Sequence, residues 1–180
     1  MKKVLSVIAS FIIIILVSAC TSEPPTTLRN EQYGYEITFP RGWSLHQRDT
    51  KVLKSYAAQS EDYSTEGIYN NRKRWATEVV VWKKTKYNTF ERIYKRMLNS
   101  FKSFGPIEGK IIETTTYMRD GNEHRKVISE TKGMGRQGAH YCTFVDTDKY
   151  VLIIHSSCTP RYFESAQKEF GSIIDSLKFF

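Results

Sequence analysis

Cysteine and proline are scarce: the 180 residues hold three Cys and five Pro. So few thiols exclude a disulfide-stapled miniprotein. No Gly-x-Ser-x-Gly elbow occurs, nor any glycine-rich loop of the kind that cradles phosphate. The commonest signatures of serine hydrolases and nucleotide-binding enzymes are therefore missing. There is no internal repeat and no low-complexity segment, which excludes solenoid arrays. Acidic residues are the minority, with 19 Asp and Glu against 27 Lys and Arg and a net charge of +8. Long apolar runs are also rare. One exists, Val4 to Val17, directly after Lys2 and Lys3.

That run, with small residues at Val17-Ser18-Ala19, has the three parts of a secretory signal peptide. As a transmembrane helix, Val4 to Cys20 would have 17 residues, the short edge of the spanning range. Cys20, directly after Ser18-Ala19, resembles the lipobox cysteine of bacterial lipoproteins. The resemblance implies that Cys20 receives a diacylglyceryl group, that the chain is cut before it, and that the new amino terminus is acylated. One acyl chain holds a membrane only marginally; two or more hold it stably, at about 0.8 kcal/mol per buried CH₂. The expectation is a protein lipid-anchored to a bacterial membrane in the cell envelope, facing outside the cytoplasm. Plain secretion and a retained span are the alternatives. The next residue is Thr21, not Asp, which permits an outer-membrane destination in a diderm host.

The expected organisation is a signal peptide over 1–19, a lipidated Cys and flexible tether over 20–32, and one globular domain over 33–180. Cleavage would leave 161 residues, enough for one domain with a core, and a net charge of about +6. Export argues against nucleic acid as a partner. The positive excess suits anionic lipid headgroups or an acidic protein of the envelope. The tether, Thr21 to Gln32, holds Pro24-Pro25 and shows no apolar periodicity.

Tyr35, Ile37 and Phe39 alternate with polar residues as in a half-buried strand, and Pro40-Arg41-Gly42 reads as a turn before Trp43. Val52 to Ala58 continues the sheet. Ser60 to Arg74 reads as a long surface loop, flanked by Tyr56 and holding Tyr63 and Tyr69. Trp75 to Trp82 is a strand with Trp75, Thr77, Val79 and Val81 on one face. Asn88 to Phe104 predicts an amphipathic helix, with Asn88 and Glu91 as a capping box and Gly105-Pro106 as the stop. Ile107 to Met118 and Glu123 to Thr131 form a hairpin across Asp120-Gly121. Gly133, Gly135 and Gly138 read as a flexible link to a second hairpin, His140 to Val145 with Tyr150 to Ser156. Thr159-Pro160 opens a terminal helix whose stripe is Phe163, Ala166, Phe170, Ile173, Ile174 and Leu177.

Residues 33–43, Tyr-Gly-Tyr-Glu-Ile-Thr-Phe-Pro-Arg-Gly-Trp, resemble the opening of the PsbP-like family. Ile173 to Phe180 resembles its closing helix and end. The resemblance implies an α+β fold in which an antiparallel sheet packs between helices. It also implies a role in binding other proteins, with no shared catalytic residues and no cofactor to transfer. The expected function is a membrane-anchored, non-catalytic protein-binding or accessory module. A small-ligand or metal carrier and a lipid-anchored hydrolase are the other readings.

The surface candidates are basic: Arg72, Lys73 and Arg74; Lys83, Lys84 and Lys86; and Arg92, Lys95 and Arg96 on the helix. A solvated helix face would carry the same charges. Pairing Val145 with Tyr150 in the second hairpin sets His140 opposite His155 and Cys142 opposite Ile153, so His140, Cys142 and His155 share a face. Two imidazoles and a thiolate suit Zn²⁺ or copper; frayed strand ends and a core thiol give the same pattern. Cys142 and Cys158 could form a disulfide only if the strand bends at Ser156-Ser157; two buried free thiols are the alternative. Asp146-Thr147-Asp148 resembles the start of a calcium loop but lacks its Gly and Glu. Cys158 near His155 has no orienting third group, and the pair Glu61-Asp62 sits in a loop.

Overall fold

The structure, a computed structural model, describes residues 24–46, 63–70, 73 and 75–180. Strands β1 (Thr26–Asn30), β2 (Tyr35–Phe39), β3 (Ser44–His46), β4 (Tyr63–Asn70) and β5 (Trp75–Lys83) precede helix α1 (Phe90–Lys102). Then come β6 (Ser103–Phe104), β7 (Ile107–Arg119), β8 (Asn122–Gly133), β9 (Arg136–Asp146) and β10 (Tyr150–Cys158). A 3₁₀ turn (Pro160–Tyr162), helix α2 (Phe163–Asp175) and β11 (Lys178–Phe179) follow. The larger sheet runs β3-β4-β5-β10-β9-β8-β7-β6, and a smaller one runs β1-β2-β11. Each of these strand pairs is antiparallel. Among the described residues, no helix is long and apolar enough to cross a membrane.

Alternation along the strands loads both faces of the larger sheet. On one face Val79, Val81, Leu152 and Ile154 meet Phe170, Ile173 and Ile174 of α2 and Tyr35, Ile37 and Phe39 of the small sheet. On the other, Val80, Val127, Cys142, Phe144 and Ile153 meet Phe90, Ile93 and Phe101 of α1. This is the expected sheet between helices. Trp43 is 3 % exposed and packs against Phe39 and Phe170, while its indole N–H donates to Glu169 at 2.7 Å. It fills the core beneath the turn, as its place after Pro40-Arg41-Gly42 suggests.

Several expectations are corrected. The stretch expected as a flexible tether over 20–32 includes a strand, because Thr26–Asn30 pairs along β2. Leu28 is buried, the Thr26 hydroxyl donates to the Trp43 carbonyl at 2.5 Å, and Arg29 bonds Glu31 and Glu36. One buried leucine leaves no periodicity to read; the edge of β2 supplies the partner. The loop over Ser60 to Arg74 contains β4, paired with β3 and β5. Its composition is polar, with Ile68 and Asn70 buried within it. The strand expected over Val52 to Ala58 lies outside the described residues, as does Tyr56.

Helix α1 starts one residue late for the predicted cap: Thr89 is the N-cap and accepts from the Arg92 N–H, while Glu91 pairs with Arg125. Its predicted end becomes β6. The glycine link is a tight hairpin: Gly133 pairs with Arg136 around Met134 (φ 51°) and Gly135 (φ 71°). Two positive-φ residues between strands match the right-handed strand twist.

Candidate binding groove

The β9–β10 register differs from the expected one by two residues. Leu152 faces Val145, and His155 faces Cys142. An even shift preserves side-chain parity, so His140, Cys142 and His155 still share a face. The imidazoles bond each other, His140 Nδ1 to His155 Nε2 at 3.0 Å, and His140 Nε2 meets the Thr131 hydroxyl at 2.8 Å. Phe101 packs 5.6 Å from the His155 ring and 6.1 Å from the His140 ring. Burial pushes both imidazoles down to about 4, His140 being lowered further by the neighbouring ring, and drives the Cys142 thiol well up. Both nitrogens of His140 are engaged. Among the described residues, no three His, Cys, Asp or Glu are arranged to hold a metal. The arrangement is a satisfied imidazole pair against an aromatic helix face.

Of the two readings open for the remaining cysteines, the structure has the free thiols. Cys142 and Cys158 are free and buried. Cys142 belongs to the core under α1 and Cys158 to the core under α2, so the sheet separates them. Burial raises the Cys158 thiol to about 11.

The basic residues divide. Cys20, Arg72 and Arg74 lie outside the described residues. Lys73 is engaged on the α2 side, bonding Glu169 at 2.6 Å with its ammonium 4.5 Å from the Trp75 ring centre. Lys83 is at the other end of β5, eight residues along, about 27 Å away. Lys84 and Lys86 follow it in the chain, whereas Arg92, Lys95 and Arg96 stand on α1, which packs on the opposite face of the sheet. Arg92 donates to the Tyr87 carbonyl at 3.2 Å, Lys86 lies over the Tyr87 ring, and Arg96 lies over the Trp82 ring. Lys95 is exposed on α1.

Beside this end of β5 is a groove of about 700 Å³, between the β1–β2 turn and the β9–β10 turn. Glu31, Gln32, Tyr33 and Gly34 form one wall; Lys83, Lys84, Lys149 and Tyr150 form the other, with Phe180 beside them. The walls are fixed. Tyr150 donates to the Tyr33 carbonyl at 2.5 Å, and the two rings meet edge to face at 5.5 Å. The Lys84 N–H donates to the Lys149 carbonyl at 2.9 Å, and the Lys84 ammonium bonds Asp146 and the Thr147 carbonyl, each at 2.8 Å. The Thr147 hydroxyl in turn donates to the Tyr150 carbonyl. The Asp146-Thr147-Asp148 segment is thus a turn tied to Lys84. Gly34 has φ 64°, and a Cβ there would meet the Phe180 carbonyl at 2.7 Å. Burial pushes the Tyr150 phenol up to about 12, so it remains a donor.

Lys84 is neutralised within the wall. Lys83 and Lys149 are exposed, and among the described residues neither makes an ion pair. Lys83 lies directly opposite Tyr150 across the β5–β10 ladder, hence on the same face. Lys83 and Lys84 stand out in the sequence as part of a basic cluster, whereas Lys149, Tyr33 and Tyr150 do not, lying 66, 50 and 67 residues from Lys83 in the chain. The order of the larger sheet brings Lys149 and Tyr150 to Lys83, and the β1–β2 turn of the smaller sheet adds Tyr33.

Comparison with solved structures places the fold. Cyanobacterial PsbP (CyanoP) from Synechocystis superposes with a TM-score of 0.67 at 11% identity, over 87% of this chain and 92% of its own. LpqN of Mycobacterium tuberculosis, described as involved in cell envelope biogenesis, superposes with a TM-score of 0.59 at 11% identity, over 86% of this chain and 90% of its own. The chain therefore has a PsbP-like fold. No family model and no curated protein sequence matches it.

Proposed function

From the PsbP-like fold, we propose that this chain is a membrane-anchored cell-envelope lipoprotein whose domain is a non-catalytic accessory module, binding an acidic segment of an envelope protein. The observation that carries the reading is the groove, where Lys83 and Lys149 have no carboxylate partner among the described residues beside the Tyr33–Tyr150 wall. Tyrosine supplies rigid contact area at protein interfaces. An exposed lysine–carboxylate pair contributes about 0–1 kcal/mol, so the lysines choose the partner's charge while aromatic contacts supply affinity. Lys86, Lys95 and Arg96 extend the positive field that steers the approach. The envelope role of LpqN, a protein of similar fold, supports the assignment of compartment.

Cys20 carries the lipid anchor in this reading. Six peptide steps separate it from Thr26, a reach of about 20 Å, so the domain works near the bilayer. Thr26 pairs with Phe39 and Asn30 with Tyr35, which puts the groove at the end of β1 far from the anchor. That placement favours a protein over lipid headgroups as the occupant.

The test is crosslinking in the host envelope, with mass spectrometry of the captured proteins. Lys83→Glu with Lys149→Glu is expected to lose an acidic partner that the parent captures while keeping the parent's thermal stability. Unchanged capture would overturn the groove. Loss of binding to phosphatidylglycerol vesicles, with protein capture intact, would move the assignment to lipid headgroups. Cys20→Ser is expected to release the protein from membranes; a variant that still sediments with lipid would sink the lipoprotein assignment.

A further inference from the structure

Strand β7 is thirteen residues long and lies near the edge of the larger sheet. Its outer neighbour, β6, covers Ile107 and Glu108 only. Among the described residues, no further strand pairs with Lys110 to Arg119 along that edge. The exposed apolar side chains Ile112 (52 %) and Met118 (67 %) stand on this stretch. A long open edge with apolar side chains is a template for another strand.

The backbone settles which groups face outward. Asp120 and Gly121, both at positive φ, make a two-residue hairpin turn, so the flanking pair Arg119–Asn122 exchanges hydrogen bonds. Bonded and non-bonded pairs alternate along an antiparallel ladder. The amides and carbonyls of Met118, Thr116 and Thr114 therefore point to the open edge. The sequence around them is self-complementary about Thr115. Antiparallel pairing of two copies centred there sets Thr114 against Thr116 and Glu113 against Tyr117, within the regular stretch between the bulge at Ile112 and the turn at Asp120. Each pairing is favourable in kind: threonine with threonine and carboxylate with phenol. No like charges meet among them.

We propose that the β7 edge is a self-association surface, on which a second copy of this chain adds its own β7 antiparallel about a two-fold axis at Thr115. The contact is isologous and closes at two copies, joining two eight-stranded sheets into one. The proposal is independent of the groove, which lies between other strands.

Disulfide trapping tests the register. The full chain carrying Cys20→Ser is held in detergent with micelles in large excess over chains, and its native Cys142 and Cys158 are buried. At the two-fold axis, opposed Cα atoms stand about 4.5 Å apart, within bridging range. Thr115→Cys is expected to give a covalent dimer under mild oxidation. Thr114→Cys alone is offset from its copy by two residues and is expected to stay monomeric. Thr114→Cys mixed with Thr116→Cys is expected to crosslink. Lys95→Cys, exposed on α1, measures random collision. Thr114→Lys with Thr116→Lys sets ammonium groups opposite each other and is expected to return a Thr115→Cys chain to the collision rate with thermal stability unchanged, since both threonines are exposed. Thr115→Cys crosslinking no faster than Lys95→Cys would overturn the proposal. So would Thr114→Cys crosslinking as fast as Thr115→Cys, or a dimer that survives the paired lysines.

Discussion

His140 and His155 each have a nitrogen on the other's ring, and Phe101 covers both. Their imidazoles titrate near 4 in the fold and near 6.5 when exposed. The unfolded chain therefore binds more protons between these values, and stability rises with pH across that window. The pair's contribution is complete above about pH 6.5 and falls away toward pH 4, by a few kcal/mol in all. Urea unfolding at pH 7 and pH 5 is expected to show the loss, and His155→Phe to flatten the difference. Shared face was readable from parity for these residues. The hydrogen bond was not, because it depends on a register that the turn at Thr147–Lys149 sets.

At the scale of elements, β1 and the α1–β7 contact show what packing adds. Leu28→Ala is expected to cost about 2–3 kcal/mol, since Leu28 is buried under β1. A drop in urea midpoint at unchanged slope checks it. At Gly109 an added Cβ would lie 1.6 Å from the Phe101 carbonyl oxygen, backbone against backbone. Gly109→Ala is expected to push α1 off β7 and lower the melting temperature by at least as much as Leu28→Ala. The segments β2, β5, α1 and α2 were legible because their apolar spacing follows one period, and the β7–β8 hairpin because Asp120-Gly121 marks its turn. β1 and β4 were not, because their polar residues pair with strands that only the assembled sheets place beside them.

For the whole molecule, the positive excess is not spread over one patch. Lys73 and Lys84 are held by Glu169 and Asp146, while Lys83, Lys149, Lys95 and Arg96 face solvent. Reversing Lys95 and Arg96 to Glu is expected to slow partner capture and leave thermal stability nearly intact, since neither is buried. The slowing should shrink as salt rises, because the Debye length falls from about 10 Å at 0.1 M to about 3 Å at 1 M. Association rates measured at two ionic strengths check this. A role confined to the groove would leave capture by that variant unchanged.

The chain alone determined its strand and helix faces, its missing catalytic signatures and its resemblance to the PsbP-like fold. These depend on local period and composition, which a linear reading contains. Tertiary structure decided the rest. The order of the larger sheet brings Lys149 and Tyr150 to Lys83, keeps Cys142 and Cys158 on opposite faces and, among the described residues, leaves the β7 edge without a strand beyond Glu108. Each of these depends on which strand lies beside which, and that is set by the joint burial of residues distant in the chain.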